Sequence, residues 1–143
     1  SSGAFVAGKH DLLEYVMQKA RSLIYTTAAP AVLVAACATS LAIIQNEPAR
    51  RERLQQNIAY YKILIKHLQH PSLESISSIQ SIVLGDNDKV IRLSQALAAE
   101  GILVLPIRPP TVPANSARLR ITLSSEHTSA DIERLVEALR RHL

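Results

Sequence analysis

Two arginines set two residues apart in "SARLRITL" are the side chains of this sequence best placed to do chemistry. Leu119, Ile121 and Leu123 alternate with Arg118, Arg120 and Thr122, the period of a strand buried on one face. Both guanidinium groups therefore share the opposite face. A guanidinium is planar and presents a fork of donors, so it can grip a carboxylate or a phosphate at two points. Ahead of this strand, "IRPPTVP" brings Pro109, Pro110 and Pro113 close together. Proline fixes φ and donates no backbone hydrogen bond, which leaves a stiff extended loop. A stiff loop feeding an arginine-bearing strand describes an anion-binding edge. Two solvated or ion-paired surface arginines would look the same, and the stretch alone leaves both readings open.

Other chemistry-bearing residues lack company. His67 and His70 in "HLQH" fall on one helix face, but no nearby carboxylate or cysteine completes a set of metal ligands, so no metal is expected. His127 precedes a capping-box pattern and reads as structural. The single cysteine, Cys37, excludes an internal disulfide and fits a reducing compartment such as the cytoplasm. Within "AVLVAACATSLAII" it reads as a small buried residue rather than a nucleophile. No Ser-His-Asp set, paired-carboxylate motif or phosphate-cradling glycine loop stands out. The net charge is +4, yet the basic residues are scattered and the aromatics number one Phe, four Tyr and no Trp. Nucleic-acid binders concentrate basic charge and stacking rings, so that class of partner is not expected.

These side chains need elements to position them. At 143 residues, 48% of them apolar, the chain has enough material for a core. "GAFVAG" reads as a short buried strand. "KHDLLEYVMQKARSLIY" has helical spacing, with Asp11 early and Lys19 and Arg21 late, as the helix dipole prefers. The apolar run 28–44, entered at Pro30, is too short and too mild for a membrane span and reads as a buried helix. Pro48 opens an amphipathic helix carrying Leu54, Ile58, Tyr61, Ile65 and Leu68. From Pro71 onward the pattern is α+β: strand "SIQSIVL", turn "GDND", a helix closed by Gly101, strand "ILVLPI", the proline loop, strand "RLRITL", and a last helix opened by Thr128 and Asp131. The expected organisation is thus residues 1–47, helices that look buried all round, and residues 48–143, a small sheet covered by helices.

Four stretches taken together, "SSGAFVAG", "ARSLIYTTAAP", "GDN" and "IRPPTVPANSARLRITLSSEHT", resemble in order and spacing the C-terminal part of the α-oxoamine synthases. These are pyridoxal-phosphate (PLP) enzymes of the aspartate-aminotransferase fold. The resemblance implies an α/β chain of fold type I, with residues 1–47 as the tail of the large PLP-binding domain and residues 48–143 as the small C-terminal domain. Within the group, "IRPPTVP" followed by "ARLRITL" is most similar to members that condense L-alanine with a pimeloyl thioester of CoA or of a carrier protein, releasing CO₂ in biotin biosynthesis. By this resemblance Arg120 holds the carboxylate of the amino-acid substrate. Arg108 and Thr111 face the acyl-thioester side. Thr27, with Thr26 beside it, reaches the PLP phosphate of the neighbouring subunit of a cytoplasmic homodimer. Arg118, on the same strand face, could equally be a structural ion pair.

The family's Schiff-base lysine matches a position just upstream of Ser1, and its pyridinium-binding aspartate and ring-stacking histidine match positions further upstream. Lys9 follows the glycine segment and is not that lysine. The chain alone is therefore expected to be inactive and not to retain PLP. Two rivals stand beside this reading: another α-oxoamine synthase using glycine or serine, and a non-catalytic binding or assembly module of the same fold.

Overall fold

The structure is a computed structural model that describes residues 4–68, 70 and 72–143. It divides into two compact units, Ser1–Pro48 and Ala49–Leu143. The second unit holds the arginine-bearing strand. Its elements run α4 (Pro48–Ile65), β1 (Ser72–Leu73), β2 (Ile79–Gly85), α5 (Asn87–Ala99), β3 (Leu105–Ile107), β4 (Ala117–Thr122) and α6 (Ser129–His142). The four strands form one antiparallel sheet in the order β1-β2-β4-β3. The strand with the arginines is therefore central, and the strand that precedes it in sequence lies at the edge.

Alternation along β4 sets the two faces. Ala117, Leu119 and Ile121 are buried, as is Leu123 just beyond, and Ile82 of β2 lies opposite Leu119 on the same face. Helices cover that face with one apolar stripe each: Ile58, Tyr61 and Ile65 from α4, Val90, Leu93 and Leu97 from α5, and Ile132, Leu135, Val136 and Leu139 from α6. The helix ends follow the local chemistry of the sequence. The Asp86 carboxylate accepts the Lys89 N–H at 2.8 Å at the start of α5, and Gly101 turns the chain away after it with φ of +77°. Thr128 and Asp131 exchange the two bonds of a capping box at α6. The strand Ser72–Leu73 carries no alternation that its sequence could announce, because a two-residue strand has no period.

The first unit contains α1 (His10–Lys19), α2 (Arg21–Ile24) and α3 (Ala31–Asn46). None of these helices buries a residue. Four expectations are corrected here. Residues 4–8 of "GAFVAG" form no strand, and Phe5 is 91% exposed; Gly3 of that stretch lies outside the described residues. A strand exists only through a ladder, and no partner strand is described beside this one. The helix expected from residue 9 to 25 is broken at Ala20, whose ψ of 94° is extended. The apolar helix α3 forms as expected but is exposed rather than buried, with Val32 at 72% and Ile44 at 58%, and Cys37 on it is exposed too. An apolar helix is buried only by a second layer, and the described residues of this unit supply none. Among the described residues no single helix is long and apolar enough to cross a membrane.

Candidate functional site

The open face of the sheet is the candidate site. Arg120 sits in register between Ser81 of β2 and Leu105 of β3, and Arg118 between Val83 and Ile107. Residues directly opposite in antiparallel strands point to the same side. The arginines are thus set among aliphatic neighbours, of which Leu105 is 53% and Ile79 39% exposed. The two guanidinium groups differ in commitment. Arg118 is half-buried; its Nε donates to the Ser116 carbonyl at 3.0 Å and its Nη2 to the Ser116 hydroxyl at 3.1 Å. Arg120 is exposed and makes no side-chain hydrogen bond or ion pair among the described residues. One arginine is tied to its own strand entrance, and the other has its donor fork without a partner among the described residues.

The β3–β4 loop that frames this face is a chain of tight local contacts. The Thr111 N–H donates to the Arg108 carbonyl at 3.1 Å, the Pro109–Pro110 peptide is cis, and the Ser116 hydroxyl donates to the Pro113 carbonyl at 2.6 Å. Asn115 has φ of 58°, and its carbonyl would stand 3.4 Å from a Cβ built on Gly85, itself at φ of +79°. Glycine there suits both the backbone angle and the close approach. Arg108 and Thr111 are exposed on this loop. Neither makes a side-chain hydrogen bond among the described residues.

Thr26 and Thr27 lie in the exposed segment between α2 and α3. The Thr26 hydroxyl donates to the Thr27 carbonyl at 3.5 Å, and the Thr27 hydroxyl has no partner among the described residues. Both hydroxyls are exposed, and a hydroxyl can donate to an anion. Lys9 is exposed at the entrance of α1.

Sequence reasoning alone does not find Ser81 and Leu105 beside Arg120, because cross-strand neighbours are set by register. It also leaves the role of Arg118 open; the only local signal is the serine two residues earlier. Elsewhere in the unit, Glu100 accepts from His142 Nε2 at 2.6 Å and from Arg141. Those two contacts, His142 first, hold its carboxyl below the usual carboxylate range. His67 and His70 join no group of three or more His, Cys, Asp or Glu side chains among the described residues.

A mixed α/β chain with an antiparallel sheet, one face helix-covered and the other bearing a free arginine, matches a known class. The family model of class I and II aminotransferases matches residues 1–139, and the chain belongs to that family. Within it, the chain is similar to 8-amino-7-oxononanoate synthases. It is 48% identical over 139 residues to the one from Marinobacter nauticus, covering 97% of this chain and 35% of that protein. It is 49% identical over 142 residues to 8-amino-7-oxononanoate synthase 1 of a Polaromonas species, covering 96% of this chain and 35% of that protein. The chain thus spans about a third of the length of the curated relatives it matches. Among solved structures, the 8-amino-7-oxononanoate synthase of Francisella tularensis superposes with a TM-score of 0.80 at 33% identity, over 93% of this chain and 39% of that one. A serine palmitoyltransferase from S. paucimobilis, solved with a bound PLP–myriocin aldimine, superposes with a TM-score of 0.85 at 29% identity, over 93% of this chain and 34% of that one.

Proposed function

We propose that the chain is the C-terminal part of a PLP-dependent acyltransferase, an 8-amino-7-oxononanoate synthase, which condenses a pimeloyl thioester with L-alanine and releases CO₂. Residues 1–47 then close the large cofactor-binding domain, and residues 48–143 form the small domain. The observation that carries this reading is Arg120, a guanidinium on the open face of a central strand with no side-chain partner among the described residues. In the working enzyme Arg120 takes the alanine carboxylate at two points. That contact fixes the direction of the bonds at the alanine α-carbon, and orientation of this kind removes a large share of a reaction barrier. When bound, PLP supplies the electron sink for the carbanion formed at that carbon. Thr27, seconded by Thr26, donates to the cofactor phosphate of the neighbouring protomer in a cytoplasmic homodimer. Arg108 and Thr111, exposed on the stiff loop, meet the acyl-thioester.

The match to serine palmitoyltransferase favours a second reading, an α-oxoamine synthase that uses serine or glycine. The experiment that decides is turnover by the protein expressed together with the coding sequence preceding Ser1. With pimeloyl-CoA and L-alanine, CoA release should exceed that with serine or glycine by at least an order of magnitude. The 143-residue chain alone should release none. Preference for serine would select the second reading, and turnover by the chain alone would overturn the first.

A further inference from the structure

The helix-covered side of the second unit carries a cavity of about 410 Å³ whose ionisable side chains are all basic. Lys89 and Arg92 come from the outer face of α5, one helical turn apart. His70 comes from the segment before β1, and His142 from the end of α6. Lys89 and Arg92 make no side-chain hydrogen bond or ion pair among the described residues, while His142 is already occupied by Glu100 at 2.6 Å. Lys89 and Arg92 are thus two like charges one turn apart, beside the terminal carboxylate of Leu143, and the approach of an anionic head to the pair relieves their mutual repulsion. The floor is aliphatic: Leu93 and Ala96 continue the α5 stripe, and Leu84 and Leu143 close it from β2 and the end of the chain. The parts come from separate stretches of sequence and are assembled only by folding. Leu93 belongs to the stripe that α5 lays on the covered face of the sheet, so the cavity lies on the other side of the sheet from Arg120.

We propose that this cavity binds an amphiphilic organic anion, a carboxylate or phosphate monoester carried on an aliphatic body, at a site separate from the Arg120 face. Arg92 takes the anionic head at two points and Lys89 adds a point charge, as their geometries favour. Leu84, Leu93, Ala96 and Leu143 remove the aliphatic body from water. The volume lies within the range of small-molecule sites.

Titration of the full chain with octanoate, octyl phosphate, inorganic phosphate and octanol, followed by calorimetry and by backbone NMR shifts, tests this without any turnover assay. A failure here leaves the synthase reading untouched. Octanoate or octyl phosphate should saturate, with shifts centred on residues 84, 89–96 and 142–143, and the tighter of the two names the head group. Octanol and inorganic phosphate should each bind at least about tenfold more weakly, since each lacks half of the contact. Arg92→Ala should weaken binding about tenfold, with an unchanged circular-dichroism spectrum because the side chain is exposed. If Arg92→Ala perturbs the fold, Arg92→Gln takes its place. Absence of saturation, shifts centred elsewhere, inorganic phosphate binding as tightly as octyl phosphate, or full affinity in the folded Arg92 variant would each overturn the proposal.

Discussion

Arg118 and Arg120 share a strand and a face, yet substitution should separate them completely. Arg118→Ala removes two hydrogen bonds from a charged donor to Ser116, at 3.0 and 3.1 Å. Bonds to charged groups contribute about 1.5–3 kcal/mol when buried. Arg118 is only half-buried, and the freed Ser116 groups regain water, so the net loss is about 1 kcal/mol. In a unit of this size that lowers the melting temperature by about 4–8 °C. Arg120→Ala removes a side chain with no partner among the described residues, and its effect on stability should stay within about 0.5 kcal/mol. Activity reverses the order. If Arg120 holds the alanine carboxylate, its loss costs about 2 kcal/mol or more of transition-state stabilisation, roughly thirtyfold in kcat/KM for alanine. Arg118→Ala should leave kcat/KM within a few-fold of the parent. Thermal unfolding of the chain and alanine kinetics of the intact enzyme read the two quantities separately. Equal kinetic losses in both variants, or a large destabilisation by Arg120→Ala, would refute the assignment of one arginine to the strand and the other to the substrate.

Tyr61 offers a cleaner test of burial, because it is 2% exposed and its hydroxyl is the one buried side-chain polar atom without a partner among the described residues. Burial pushes its pKa upward, and Tyr61→Phe should raise the urea midpoint by the equivalent of about 1 kcal/mol. Glu100 and Asp131 both have carboxyls held below their ordinary range, Glu100 by His142 and Arg141, Asp131 by the Thr128 N–H and hydroxyl. A depressed folded pKa gives stability that is complete above the ordinary carboxylate range and is lost as pH falls through it. The urea midpoint should therefore hold from neutrality down to about pH 5 and drop below about pH 4, and Glu100→Gln should flatten part of that drop. In hydrogen exchange, slow amides should fall after about residue 50, since no helix of the first unit buries a residue. Protection before residue 45 that disappears on dilution would mean that a second copy covers it, and concentration-independent protection would contradict the exposure of α3.

Features written in neighbouring residues are legible in the sequence alone. The alternation of Leu119, Ile121 and Leu123 with Arg118 and Arg120 declares a strand with two faces. Thr128 and Asp131 declare the start of α6, and Gly101 the end of α5, because caps and turns are satisfied within a few residues of chain. The block from Ile107 to Thr128 also carries the family resemblance. Tertiary structure decides what depends on partners distant in sequence. The order β1-β2-β4-β3 puts β4 at the centre and sets Ser81 and Leu105 beside Arg120, a matter of register that no periodicity encodes. The fold ties Arg118 to Ser116 and gives Arg120 no side-chain partner among the described residues. It also gathers His70, Arg92 and His142 around one cavity. The apolar composition of α3 declares a helix that favours burial, but burial belongs to a pair of surfaces and not to one of them. Among the described residues of the unit that carries α3 none supplies the second surface, so an apolar sequence stands exposed.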